Sequence, residues 1–331
     1  MNPHIDVIAT TISGSMSDWK KVERIEPLFR THGFDDLSLV TADSHAEARA
    51  RTAELVRNGS RLLISAGGSG TFNSVLEGCH DAGVDMAEVT LGFLRKGSAD
   101  LIGKVLGMPD KIEEAVSVFA HAIRDNRTVP CDILAGVSAE GDTPVRHFVG
   151  YGGAEVFGEI PRFTENRFVK YYKGVLSQCF GDLGPFFVGT QLALASRLIR
   201  QALRGARWWT IAVDGAVVSE GRFQSMVIVN GDLGPDLPYA KSVPLGSGDF
   251  YLFGIRDIGV WRLIPQLKRA WDASILKEPQ RWGFESFRVE RELVISPLDD
   301  ATFPVNFDGS AITCRGSVRV WIASRTNLLS R

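Results

Sequence analysis

The chain is poor in cysteine, has no apolar run of membrane length and carries almost no net charge. Cys79, Cys131, Cys179 and Cys314 lie far apart and form no Cys-x-x-Cys pair, which argues against a disulfide frame and against a cysteine zinc site. The N-terminal MNPHIDVIAT lacks the basic segment and apolar core of a secretory leader. No uninterrupted apolar stretch reaches the ~20 residues that span a bilayer. A formal charge of -2 and a pI near 6.3 give no global attraction to nucleic acid or to an anionic surface. The expectation is a soluble protein of a reducing cytoplasm, peripheral at a membrane at most and without a nucleic-acid partner. Internal repeats and low-complexity tracts are also missing.

With 331 residues, 44% of them apolar and 23% charged, the chain has enough apolar surface for two ordinary domains of ~100–200 residues. The first third alternates short apolar runs with helical patterns, the mark of a doubly wound parallel sheet. Strands are expected at Ile5 to Ala9, Leu37 to Thr41, Arg61 to Ala66 and Glu88 to Leu94. Helices are expected after Ser17 to near His32-Gly33, after Ser44 through Val56, from Phe72 to about His80, from Asp100 to Leu106 and from Lys111 to Arg124. Past Arg127 the pattern changes. Helices over Phe168 to Gln178 and Gly189 to Arg204 precede strand-like runs at Trp208 to Val213, Gln224 to Asn230, Phe250 to Ile255, Phe287 to Ile295 and Val318 to Ala323. The dipeptides Asp214-Gly215 and Asp308-Gly309 suit hairpin turns. The reading is therefore an α/β N-terminal domain over 1–128 and a β-rich domain over 129–331, with the last strand or tail returning to the first domain.

The segment LLISAGGSGTFNSVLEG places a strand, a glycine turn at Gly67-Gly68-Ser69-Gly70-Thr71 and a helix start in succession. Glycines let a backbone approach an anion closely, and the free amides of a helix start favour negative charge. No Gly-Lys-Ser/Thr follows, so the turn is not a P-loop, and Asn73 occupies the third glycine place of GxGxxG. A tight connection with no ligand fits the spacing equally well. A second loop, LGFLRKGSADLIGKVLGMP, repeats the arrangement one strand later, and two such loops at the carboxyl edge of an open sheet can line one crevice.

In these two loops the chain resembles the diacylglycerol and sphingosine kinase group of lipid kinases. That group carries GGDGT with a following Asn and Glu, then a loop like LGxxPxGTGNDFARxLGxP; here stand GGSGTFNS and LGFLRKGSADLIGKVLGMP. Thr10-Thr11-Ile12-Ser13-Gly14, FVGYGGAEVFGEI, IVNGDLGPDL and FPVNFDGSAI occupy further family segments, so the resemblance runs nearly chain-long. It implies an α/β nucleotide domain, a C-terminal β-sandwich with an active cleft between them, and phosphoryl transfer from ATP with Mg²⁺ to a lipid hydroxyl. Carried over, the nucleotide contacts are Thr41, Gly67, Gly68, Ser69, Gly70, Thr71, Asn73, Lys96, Gly97 and Ser98. A nucleotide and a lipid are the implied partners, and a homodimer is compatible with the resemblance.

The departures fall on acidic positions. Ser69 replaces the Asp of GGDGT, Ser74 the following Glu, Gly246-Ser247-Gly248 a metal-holding Asp-Asp-Gly turn, and Ser310 the Glu that serves the family as general base. A serine hydroxyl brings no charge to Mg²⁺ and takes no proton near pH 7. Losing a positioned base typically removes ~10²–10⁴-fold of rate. Substitute acids are Asp100, Asp308 and Glu77, with Ser247 and Asp249 as metal candidates; for each acid a capping or solvated role is the plainer reading. Arg95 and Lys96 could instead balance phosphate charge. The leading reading is a lipid kinase-like enzyme. The second is a pseudokinase that binds nucleotide or lipid without turnover, and the third an NAD kinase-type enzyme, which shares GGDGT and a phrase like Leu91 to Leu94. A basic helical face of Arg197, Arg200, Arg204 and Arg207 beside Trp208-Trp209 marks a peripheral membrane contact as one option.

Overall fold

The computed structural model describes residues 3–10, 22–95, 101–140, 143–164 and 207–331. The chain divides into two compact units. The first joins residues 1–133 with 244–246 and 323–331, and the second holds 134–243 and 247–322.

In the first unit the elements run β1 (Ile5–Thr10), α1 (Ile25–Thr31), β2 (Leu37–Ala42), α2 (His45–Arg57), β3 (Leu62–Gly67), α3 (Ser69–Asp81), β4 (Thr90–Arg95), α4 (Leu101–Val105) and α5 (Ile112–Arg124). Strands β1 and β3 are buried along their whole length, as parallel strands covered on both faces must be. The parallel order is β2-β1-β3-β4, and Asn327 and Leu328 of the chain's last strand add a fifth strand beside Thr90 and Leu91 of β4. The chain steps one way from β1 to β2 and the other way from β2 to β3. Right-handed crossovers therefore put α1 on one face and α2 and α3 on the other. The helix packing agrees: α1 lies against α5, and α2 against α3. Ser44 caps α2 by accepting the Glu47 amide at 3.0 Å, while the Glu47 carboxylate accepts the Asp43 amide at 2.8 Å, so two backbone donors at the helix start find side-chain acceptors.

The second unit contains β6 (Arg146–Phe148), β7 (Tyr151–Glu155), α6 (Val156–Thr164), β8 (Trp208–Val213), β9 (Ala216–Val229), β10 (Phe250–Arg256), α7 (Val260–Trp271), β11 (Phe284–Val289), β12 (Glu292–Pro297) and β13 (Phe303–Phe307). Two long strands, β5 (Thr128–Glu140) and β14 (Ser310–Leu329), belong to both units. Among the described residues the following pairings of the second unit are antiparallel. One set runs β11-β10-β9-β7-β13-β14, and the other links β14 to β12, β12 to β8 and β8 back to β9. Strands β9 and β14 take part in both sets, so their side chains and those of their neighbours close on one buried cluster that includes Trp209, Phe223, Phe250, Phe307 and Val320.

Three sequence expectations are corrected, and one element is new. The run Phe287 to Ile295 is two strands, β11 and β12, because Asp214 accepts the amides of Glu290, Arg291 and Glu292 and turns the chain there. Helix α7, with Pro265 inside it, was not anticipated. The helix expected from Phe72 begins three residues earlier, at Ser69. Arg207 is not on a helical face: it ion-pairs with Asp299 at 3.1 Å and lies over the rings of Trp209 and Phe303. The rest of that basic face, Arg197, Arg200 and Arg204, lies outside the described residues, as do Ser17, Cys179 and the helices expected over 168–178 and 189–204.

Candidate functional site

Parallel pairing brings the carboxyl ends of the strands to one edge. Ala9 pairs with Thr41 and with Ala66, and Gly67 pairs with Arg95. Thr41 therefore stands two strands from the end of β3, roughly 10 Å away at the usual spacing of ~4.8 Å per strand. This is the edge where open α/β sheets bind ligands.

The glycine turn is shorter than its sequence suggests. Gly68, in extended backbone (φ -90°, ψ -175°), is the N-cap of α3 and no side chain caps it. Its carbonyl accepts the amides of Thr71 at 3.0 Å and Phe72 at 3.1 Å. The amides of Ser69 and Gly70 thus stand at the open helix start, where no preceding turn offers them a carbonyl.

The glycines there are not equivalent. A Cβ on Gly67 would lie 2.3 Å from Thr71 Oγ1, and one on Gly70 would lie 2.7 Å from the His45 ring, whereas one on Gly68 would meet no atom within 4 Å. Packing therefore demands Gly67, and Gly70 can be traded against movement of the exposed His45 ring. Among the described residues nothing demands Gly68.

The hydroxyls divide in the same way. Thr71 is buried, and its Oγ1 lies 2.6 Å from Thr10 Oγ1, which ties the first turn of α3 to the end of β1. Ser74 donates to the Gly70 carbonyl at 2.9 Å, so the family's Glu place holds a side chain turned back on its own helix. Ser69 is half-buried at the opening. His45, at the start of α2, joins this edge; no motif in the sequence singles it out, because it is brought there by the β2–α2 turn and not by spacing from the glycines. Lys96, Gly97, Ser98 and Asp100 lie outside the described residues.

The substitute acids among the described residues are occupied elsewhere. Asp249 is buried, ion-paired with Arg288 and bonded by the Ser247 hydroxyl. Glu77 is buried on α3 and faces Arg49 at 3.6 Å. Asp308 is buried too, and its two carboxylate oxygens accept the amides of Val149 at 2.8 Å, Tyr151 at 2.8 Å and Gly150 at 3.1 Å. Burial pushes its carboxyl up to about 6 against the pull of these amides. Ser310 is exposed at the start of β14. Among the described residues, no three His, Cys, Asp or Glu side chains gather as a metal cluster. Cys79, Cys131 and Cys314 are buried free thiols, and burial pushes the first up to about 12 and the last up to about 11.

Residues 4–134 match the family described as the diacylglycerol kinase catalytic domain. That segment carries the whole glycine-turn edge from β1 to β4. Residues 4–134 are thus of the diacylglycerol kinase catalytic-domain type. Among solved structures, a diacylglycerol kinase from Bacillus anthracis superposes with a TM-score of 0.65 at 16% identity, covering 99% of this chain and 97% of that one. An NAD kinase from Archaeoglobus fulgidus in complex with ATP gives 0.52 at 10% identity, covering 98% and 93%. Yeast NADH kinase complexed with NADH gives 0.54 at 11%, covering 100% and 84%. These likenesses establish a shared fold. No curated protein sequence matches the chain. This diacylglycerol kinase-like chain is thus kinase-like in fold and catalytic-domain type. No described helix is long and apolar enough to cross a membrane.

Proposed function

We propose that this chain binds the phosphates of ATP at the start of α3 and transfers the terminal phosphoryl group to a hydroxyl of a diacylglycerol- or sphingoid-type lipid. The observation that carries the reading is Gly68. Its backbone angles suit any residue and no described residue approaches its Cβ position, so a glycine there serves the close approach of a ligand. The amides of Ser69 and Gly70 and the positive end of α3 supply what a phosphate needs. The Ser69 hydroxyl adds a donor, and Thr41 sits two strands away on the same edge.

Among the described residues the donor set fits a nucleotide phosphate and does not fit a carboxylate-held Mg²⁺. Hydroxyls and amides stand where Mg²⁺ prefers carboxylate oxygens, and Asp249 and Asp308 are committed to Arg288 and to backbone amides. What the chain itself supplies is positioning and charge stabilisation, the larger part of phosphoryl-transfer catalysis.

That commitment of the acids favours a second reading, in which the nucleotide binds and is not turned over. Calorimetry with ATP, with and without Mg²⁺, followed by a labelled-ATP assay over a lipid panel and NAD⁺, separates the readings. Transfer of label to a lipid supports the first, binding without transfer the second, and labelled NAD⁺ a NAD kinase-type activity. Absence of ATP binding overturns both leading readings.

A further inference from the structure

Helix α7 presents a side chain pattern that the fold does not use. On its inner face Leu263, Gln266 and Ala270 are buried. Gln266 donates its amide to the carbonyls of Arg256 at 2.8 Å and Trp282 at 2.6 Å, and the Tyr239 hydroxyl donates to the Ala270 carbonyl. These bonds fix the helix by its neighbours inside the same unit. On its outer face Trp261 is 93% exposed and Ile264 66% exposed, beside exposed Arg262, Pro265 and Lys268. Single exposed apolar residues are ordinary, but a fully exposed tryptophan one helical turn from an exposed isoleucine is a paired apolar surface.

The charge says what it meets. The helix sequence VWRLIPQLKRAW has three basic residues and no acid. Arg269 is drawn over the Trp282 ring at 4.5 Å, which leaves Arg262 and Lys268 flanking the apolar pair. The acids at its two ends, Asp257 and Asp272, accept the amides of Gly259 at 3.0 Å and Ser274 at 2.9 Å, and Asp272 also draws on Arg269 and Lys268, so the stretch keeps a net positive charge. A second copy of this face would set Arg262 and Lys268 against their own kind. An anionic bilayer satisfies both features: the indole and the isoleucine enter the boundary between headgroups and acyl chains while the basic heads pair with lipid phosphates.

We infer that the outer face of α7 is a docking surface for an anionic phospholipid bilayer. The surface is built by Trp261, Ile264, Arg262 and Lys268 on a helix already held rigid, so docking requires no rearrangement of α7. It needs no nucleotide and no turnover, and it stands whether or not phosphoryl transfer occurs at the start of α3.

The test is sedimentation of the full-length protein with sucrose-loaded vesicles, of phosphatidylcholine alone or with 30% phosphatidylglycerol (about a third anionic lipid gives a surface potential of the relevant sign and size), without ATP. The wild type is expected to partition onto the anionic vesicles, less so in high salt. Trp261→Ser with Ile264→Ser is expected to reduce partitioning about tenfold, and Arg262→Glu with Lys268→Glu to abolish the preference for anionic lipid. Both pairs replace exposed side chains, so thermal melting is expected to match the wild type and reports a folding failure if it does not; in that case the conservative Trp261→Tyr is read instead, with an intermediate loss expected. Wild-type protein that ignores both vesicles, a Ser pair that partitions like wild type, or a Ser pair whose only effect is to turn a sedimenting dimer into a monomer each overturns the inference.

Discussion

Two adjacent glycines, Gly67 and Gly68, differ in the reason for being glycine. At Gly67 a methyl group would enter the Thr71 side chain, so Gly67→Ala is expected to cost about 1–3 kcal/mol through overpacking, read by chemical denaturation. At Gly68 the same substitution meets open space, so Gly68→Ala is expected to leave stability within about 0.5 kcal/mol while weakening ATP binding tenfold or more by calorimetry, about 1.4 kcal/mol. A Gly68→Ala protein that binds ATP like wild type removes the observation on which the nucleotide site rests. Asp308 supplies a pH-dependent counterpart. Its folded carboxyl is pushed up to about 6 from 3.8, so it holds its proton more tightly folded than unfolded. The stability it contributes is fully present below about pH 4 and is lost as the pH rises through 6. Measured against Asp308→Asn, which does not titrate, the wild type is expected to lose on the order of 2–3 kcal/mol between pH 4 and pH 7. A constant difference across that range means that the carboxyl titrates at its ordinary value.

At the scale of elements, the two Asp-Gly dipeptides were legible as hairpin turns, and both are: Asp214 and Asp308 have positive φ, 52° and 45°, each followed by a glycine of positive φ, as a two-residue hairpin loop requires. Their other role was not legible. Each carboxylate also gathers three successive backbone amides from a distant segment, 290–292 for Asp214 and 149–151 for Asp308. Local sequence reports a turn through its backbone preference, whereas a partner nearly 80 or 160 residues away leaves no local trace. Asp214→Gly keeps the turn angles and removes only the carboxylate, and is expected to cost about 2–4 kcal/mol in denaturant because three amides lose their acceptor. The pairing of α2 with α3 is similar in kind. A Cβ on Gly78 would lie 2.5 Å from the Arg49 carbonyl, so Gly78→Ala is expected to destabilise by about 1–3 kcal/mol despite its better helix propensity.

At the scale of the molecule, the catalytic-family segment does not complete its own sheet. Leu328, fully buried, and Asn327 pair with β4, Thr326 donates its hydroxyl to the Val89 carbonyl at 2.9 Å, and Arg325 pairs with buried Asp132 at 2.8 Å. Removing residues 323–331 is expected to lower the melting temperature by several degrees, in line with losing a few kcal/mol from a protein of this kind, and to lower ATP affinity as the β3–β4 edge loosens. Calorimetry and a melting curve on the truncated chain check both.

Period and punctuation alone determined the alternating strands and helices up to Arg124, the hairpin turns and the place of the glycine turn at the end of β3, because each depends on residues within a few positions of one another. The roles of the site residues were decided in three dimensions. Thr71 turns to Thr10, Ser74 to its own helix, Asp249 to Arg288 and Asp308 to the amides of 149–151, while His45 arrives beside Gly70 from another element. Hydroxyls and carboxylates satisfy whichever partner the fold brings within about 3 Å, and that partner is set by strand order and burial, which a linear string of residues does not contain.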